Sequence, residues 1–200
     1  HMVSKLALAV AEVTVEARRR GVDTRVIDGL ALRYREIREG LGLHNSPAVY
    51  GAFPTDPYSH TPGFAGVQQP GLTGQVKEDV IARFTQLGVA VEDGEVRFAP
   101  VLMEAGEFLV EPTNWTFVCN GRERCLDLPV GSFGFTLCGV PVIYRMAQDA
   151  LIEVVDRSGR SHRLSGDSLG REWSRALCGR DGTIDRLVVD LPRSLLRAGS

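Results

Sequence analysis

The chain is short of lysine, of one-sided charge, of paired cysteines and of long apolar runs, and each shortage excludes something. Only Lys5 and Lys77 are lysines, and the other 21 of the 23 basic residues are arginine, a skew that points to a GC-rich genome more than to a function. Charges nearly balance in both halves, eleven basic against twelve acidic in residues 1–100 and twelve against thirteen in residues 101–200. Neither half has the positive excess that nucleic acid or an anionic membrane surface attracts, so neither partner is expected. No apolar run approaches the ~18 residues of a membrane span. The four cysteines, Cys119, Cys125, Cys138 and Cys178, form no CxxC pair, which argues against a zinc site. Cys119 and Cys125 flank the turn signal Asn120-Gly121. They either face each other across a hairpin or, with the other two, are free buried thiols of a cytoplasmic protein. Phosphate-loop, GxGxxG, HExxH and GxSxG signatures are all absent, which argues against nucleotide hydrolases, dinucleotide oxidoreductases, zincins and α/β-hydrolases. No cofactor is expected.

What is present is unevenly spread. Of 22 glycines and 10 prolines, eleven fall between Leu41 and Gly74, a window with Asp56 as its one acidic residue and no Lys or Arg. A disordered linker would be charged and poor in aromatics; this window carries Tyr50, Phe53, Tyr58 and Phe64. Before it, the sequence reads helical. Leu6, Val10, Val13 and Ala17 repeat at helical spacing, Gly21 closes the segment, and Asp23 or Thr24 caps a second helix with Val26, Ile27, Leu30, Tyr34 and Ile37 on its apolar face. A third helix is expected from Thr73, with the stripe Val76, Val80, Ile81, Phe84 and Leu87 and a stop at Gly88.

From Val89 the apolar period changes to two. Val89–Val91, Val96 and Phe98 form a hairpin signal around Glu92-Asp93-Gly94-Glu95. Further strands are expected at Phe108–Val110, Trp115–Cys119, Arg124–Leu128, Ser132–Leu137, Val140–Tyr144, Leu151–Val155, Ser161–Leu164 and Ile184–Val189, with Leu169–Leu177 a short helix or an irregular crossing. The fold expected is therefore α+β: a helical segment of two to three helices with a long ordered loop over residues 1–92, then an antiparallel β-sandwich or jelly roll over residues 93–200.

Most connections run ~4–6 residues, so a long ordered loop with polar groups between aromatics reads as a binding surface. Tyr58 and its aromatic neighbours offer stacking faces for sugar rings, and Asp56, His60, Gln68 and Gln69 offer hydrogen bonds. Thr73, Gly74 and Gln75 open a helix whose N–H groups suit an anion, with His60 nearby. Alternatively the loop wraps the core, Asp56 caps a turn and His60 bonds the loop backbone. Asp56, His60 and Glu78 would be the acid–base set of a small enzyme.

The segment from Gln68 to Pro100 resembles the end of the (α/α)6 toroid in inverting glycoside phosphorylases and related glycosidases. The matching pieces are Leu72-Thr73-Gly74, the helix running through Leu87-Gly88-Val89, and Glu92-Asp93-Gly94-Glu95-Val96-Arg97-Phe98-Ala99-Pro100-Val101-Leu102. The resemblance implies phosphate contacts at Thr73, Gly74 and His60 and a jelly-roll-like β-domain after the last helix. The proton-donating carboxylate of those enzymes lies upstream of the matched segment, and Gln68-Gln69-Pro70-Gly71 replaces their aromatic-rich stretch. The chain is accordingly expected to be a C-terminal piece of a carbohydrate-active protein, inactive alone, whose exposed apolar helices would let it form a homodimer. The alternative is a non-catalytic carbohydrate-binding or protein-interaction domain.

Overall fold

The computed structural model describes residues 2–40, 80–119 and 121–197. The chain divides into two compact units, His1–Gln86 and Leu87–Ser200. Helices precede strands, the α+β order that the change of apolar period predicts.

In the first unit α1 (Met2–Arg19) and α2 (Thr24–Gly40) pack together as a helical hairpin. Gly21, at φ 65°, reverses the chain, and Asp23 caps α2, its Oδ1 accepting the Arg25 N–H at 2.8 Å. The buried stripe of α1 is Ser4, Ala7, Ala11 and Thr14, while Leu6 and Val13 are each 53% exposed. Of the expected stripe, Leu6 and Val13 therefore face solvent, while Val10 and Ala17 are half-buried beside the observed one. The reason is physical: α1 carries apolar residues on almost every side, so the period identifies a helix without fixing its phase, and small side chains allow the closest approach. In α2, Ile27 and Tyr34 are buried as expected, one heptad apart, but Val26 is exposed. Residues 80–86 are helical; Val80, Ile81 and Phe84, assigned to the apolar stripe, are about half exposed, whereas Ala82 is buried. Among the described residues no helix is long and apolar enough to cross a membrane.

The second unit is built around a five-stranded sheet. Its strands are β5 (Ser132–Leu137), β6 (Val140–Ala147), β7 (Leu151–Asp156), β8 (Ser161–Ser165) and β9 (Ile184–Pro192), in the order β5-β6-β9-β7-β8. The chain makes two hairpins, β5–β6 and β7–β8, and then crosses by α3 (Gly170–Gly179) to insert β9 between them. The pair β6–β9 is parallel, Val142 facing Leu187 in register, and the others are antiparallel. The sheet is thus mixed, where an antiparallel one was expected; apolar alternation assigns a strand but carries no information about the direction of its neighbour. The expected strand Phe108–Val110 does not form, although the Leu109 backbone bonds to Ser132 and Gly131 beside β5.

Period-two alternation gives the sheet two different faces. One carries Val142, Tyr144, Ile152, Val154, Leu187 and Val189, all essentially inaccessible to solvent. It is covered by α3 and by the hairpin of β1 (Val89–Glu92) and β2 (Glu95–Phe98). The other face carries Ile143 and Val188, covered by a ribbon of β3 (Thr113–Cys119) and β4 (Arg122–Leu128) through Trp115, Leu126 and Leu128. Gly134 of β5 makes room for that ribbon, since a Cβ there would meet Leu128 Cδ1 at 2.8 Å and Trp115 Cε3 at 3.0 Å.

Two groups anchor the covering hairpin. The fully buried Tyr144 hydroxyl donates to the Leu87 carbonyl at 2.6 Å, and its ring packs edge-on against Phe98 and Phe135. Next to it, Gly88 sits at φ 67° against the backbone of Ala99 and Pro100, and its carbonyl accepts the Ala99 N–H at 2.8 Å. Tyr144→Phe should leave the Leu87 carbonyl unpaired in the core and cost about 1–3 kcal/mol, read from the urea midpoint. Gly88→Ala should cost at least about 2 kcal/mol, because a left-handed backbone and a backbone collision act together; an unchanged midpoint would show that the turn relaxes freely.

Candidate functional site

The residues singled out in the sequence, Asp56, Tyr58, His60, Gln68, Gln69, Thr73, Gly74, Gln75 and Glu78, lie outside the described residues. Among the described ones no group of three or more His, Cys, Asp and Glu is placed to hold a metal ion.

Two polar clusters look chemical and are structural. Arg97 of β2 faces three carboxylates, Asp167 at 2.9 Å, Glu92 at 3.7 Å and Glu95 at 3.9 Å, and so clips the hairpin to the segment leading into α3. Asp156, Ser158 and His162 are close together, but not in the order of a hydrolytic triad. The Ser158 hydroxyl donates to Asp156 Oδ1 at 2.6 Å rather than to the histidine, and His162 Nε2 lies 3.0 Å from Asp156 Oδ2. The Ser158 and Arg160 N–H groups also point at Asp156, which makes it the organiser of the β7–β8 turn.

The cleft that stands out lies where the tip of the β3–β4 ribbon meets the end of β7 and the start of β9. It is an open surface cleft of about 670 Å³ lined by Cys119, Arg122, Glu123, Arg124, Arg157 and Asp185. Behind it is a pocket of about 10 Å³, room for about one water, to which Cys138 and Arg180 contribute. Ribbon register explains the lining. Cys119 pairs with Arg122 and Phe117 with Arg124, so alternate residues of both strands point to one side. The Cys119 thiol donates to the Gly139 carbonyl at 2.7 Å, pinning the ribbon to the β5–β6 turn. Cys125 lies opposite Thr116, hence on the other face, and its thiol donates to Asn114 Oδ1. A bridge between Cys119 and Cys125 is therefore excluded by the pleat. All four cysteines are free, with Cys119 buried, Cys138 half-buried, and Cys125 and Cys178 exposed, so the expectation of uniformly buried thiols fails for two of them.

The cleft is rich in positive charge. Arg124 reaches Asp185 at 2.8 Å, and Asp185 is shared with Arg186 at 3.2 Å. Burial opposes the Arg124 charge, but the hydrogen bond and charge of Asp185 outweigh it and hold the group above its ordinary pKa. Arg157 lies against the backbone of Gly182, and neither it nor Arg122 has a side-chain partner among the described residues. Arg180 is the left-handed cap of α3 (φ 51°), and its side chain approaches Cys138. Burial, followed by the neighbouring Cys178, pushes the Cys138 thiol above its ordinary pKa, against the pull of Arg180. The thiol is therefore neutral at physiological pH. Two guanidinium groups with no carboxylate partner among the described residues, in a lining that also holds Glu123 and Asp185, beside thiols that are engaged or protonated, make a site suited to holding an oxyanion rather than to attacking a substrate.

Backbone strain marks the same place. The non-glycine residues at positive φ among the described ones are Asp93, Cys138 and Arg180, and two of these three border the inner pocket. Asn, Asp or Gly is the usual occupant at the first position of a two-residue hairpin turn, and Gly or Asn after a helix. A cysteine and an arginine there are the signal in the sequence that would have found this site. No protein-family model matches the chain, and no curated protein matches it either.

The hydrogen bonds to Asp156, from the Ser158 hydroxyl first and His162 next, hold its pKa far below the usual carboxylate range. Its contribution to stability is thus complete above the ordinary value of about 3.9 and is lost as pH falls through the lower folded value. The melting-temperature difference between the wild type and Asp156→Asn should shrink between about pH 6 and about pH 2; a constant difference would show that the carboxylate's charge is irrelevant to the turn.

Proposed function

We propose that the Leu87–Ser200 unit is a binding module for a small molecule bearing a phosphate or carboxylate group, held by Arg122 and Arg157 in the cleft at the ribbon tip, with Arg180 bordering the small pocket behind it. The observation that carries this reading is a cleft of about 670 Å³ with two guanidinium groups, those of Arg122 and Arg157, lacking a partner among the described residues. Arg124 is already engaged by Asp185 and shapes the wall. Guanidinium forks match the geometry of phosphate and carboxylate oxygens and form the stronger class of hydrogen bond.

A second reading keeps the chain as the C-terminal part of a carbohydrate-active protein, with Asp56, Tyr58, His60, Gln68 and Gln69 toward a sugar and Thr73, Gly74 and Gln75 toward phosphate. The layout after residue 80 supports it: a helix stopping at Gly88, then the β1–β2 hairpin and Pro100. The two readings place an anion at different residues, so one titration separates them. Calorimetry of the full chain with inorganic phosphate and citrate at low salt should show binding that weakens as ionic strength rises. Arg157→Ala should weaken it about tenfold, about 1.4 kcal/mol, within the range for a hydrogen bond to a charged group. Loss of affinity in His60→Ala and Thr73→Ala instead would favour the second reading, and absence of binding by either anion would overturn the first.

A further inference from the structure

The five-stranded sheet ends on β8, whose strand neighbour among the described residues is β7. Register and two flanking bonds decide which way its backbone points. The Ala150 carbonyl accepts the Gly166 N–H at 3.0 Å, and the Arg160 carbonyl accepts the Asp156 N–H at 3.0 Å, at the two ends of the β7–β8 pair. Bonded pairs alternate along an antiparallel ladder, so His162 and Leu164 bond to β7. Ser161, Arg163 and Ser165 then turn their N–H and C=O groups away from the sheet, and all three residues are exposed. Within β8 there is no proline, no bulge, and no Lys, Arg, Asp or Glu on the core-facing side, the devices that usually close such an edge. That side carries Leu164, packed on the core, and His162, whose ring lies 4.9 Å from that of Trp173 in α3. The other side carries Arg163, in register with Glu153 of β7 but not ion-paired to it, and Arg160 precedes the strand. Neither guanidinium has a carboxylate partner among the described residues.

We propose that the outer edge of β8 takes up an extended peptide with an acidic residue at its centre and an apolar residue on either side, which joins the sheet as a further strand. The outward N–H and C=O groups of Ser161, Arg163 and Ser165 supply the main-chain bonds. The side-chain pattern follows from alternation. The peptide residue opposite Arg163 falls on the face of Arg163, where a carboxylate completes a Glu–Arg–Glu ladder with Glu153 across three strands. The residues flanking it fall on the opposite face, beside His162 and Leu164, where apolar side chains extend the cover of the core. A second copy of the chain fits less well. The antiparallel register that uses all five residues of β8 sets Arg163 directly opposite its counterpart, and like charges so placed repel.

The test titrates the full, isotope-labelled chain with the terminally blocked peptide Thr-Val-Glu-Val-Thr, and with the same peptide carrying lysine at its centre, in phosphate-free buffer. Near saturation with the glutamate peptide, the amides of Ser161, Arg163 and Ser165 should exchange with solvent about tenfold more slowly, as expected when the bound state protects them. The amides of His162 and Leu164, already bonded to β7, should be slow throughout. The glutamate peptide should bind about threefold more tightly than the lysine peptide, and Arg163→Glu should reverse that preference. Arg163→Pro removes one outward N–H without touching the β7 ladder and should abolish the protection at Ser161 and Ser165; if that variant does not fold, Arg163→Glu carries the test alone. Equal affinity for the two peptides, binding of neither, or binding that leaves the three amides unprotected would each overturn the proposal. So would protection of those amides that needs no peptide and rises with protein concentration, which would give the edge to a second copy. None of these readouts depends on anion binding at Arg122 and Arg157.

Discussion

The buried hydrogen bond from Tyr144 to the Leu87 carbonyl is the constraint around which the second unit is organised. A tyrosine hydroxyl has to find a partner when it is fully buried, and this one finds it on the chain segment that starts the unit. Once Leu87 is held there, Gly88 turns the backbone against Ala99 and Pro100, β1 and β2 follow as a hairpin, and Phe98 meets the Tyr144 ring. The outer edge of β2 is then satisfied by the segment entering α3: Asp167 accepts from Phe98, Leu169 donates to Val96, and the Ser174 hydroxyl accepts the Val96 N–H. One polar contact in an apolar core thus fixes the entry of the chain, the covering hairpin and the position of the crossing helix.

The crossing helix in turn fixes the small pocket behind the cleft. Its C-terminal end brings Ala176 and Arg180 to the β5–β6 turn, while on the opposite side of the sheet the ribbon tip is tied down by the Cys119 thiol. That pocket therefore joins elements that cover different faces of one sheet. Its arginines come from a ribbon, from the end of β7 and from a helix cap, and no pair of these elements alone would assemble them.

Much of this architecture can be read from the sequence, because strands and turns announce themselves locally. Asp93-Gly94, Gly121 and Ser158-Gly159 lie where hairpins turn, and β5 begins and ends at the residues that alternation predicts. Three properties are not legible, each for a physical reason. The phase of α1 is undetermined because Leu6 and Val13 compete with Ala7 and Ala11 for the buried side, and period alone does not choose. The parallel pairing of β6 with β9 depends on where the chain goes after a helix, which alternation does not encode. The cleft and the pocket behind it are hidden because Arg122, Arg157 and Arg180 share no motif and are brought to one region only through tertiary structure; the unusual residues at turn positions, Cys138 and Arg180, are the one local trace. The loop residues on which the sequence reading concentrated lie outside the described residues, so the candidate site rests on different side chains from those first proposed.

The position of β9 has a consequence for how the protein is made. The strand at the centre of the sheet is the last one synthesised, and it alone joins the β5–β6 hairpin to the β7–β8 hairpin. Until Ile184–Pro192 leaves the ribosome, β6 and β7 each expose an unpaired inner edge bearing Val142, Tyr144, Ile152 and Val154. Such edges are templates for pairing with other chains. The nascent protein accordingly passes through a period in which nearly all of its sheet is present and none of its core is sealed, and protection by a chaperone matters most in the interval before β9 emerges.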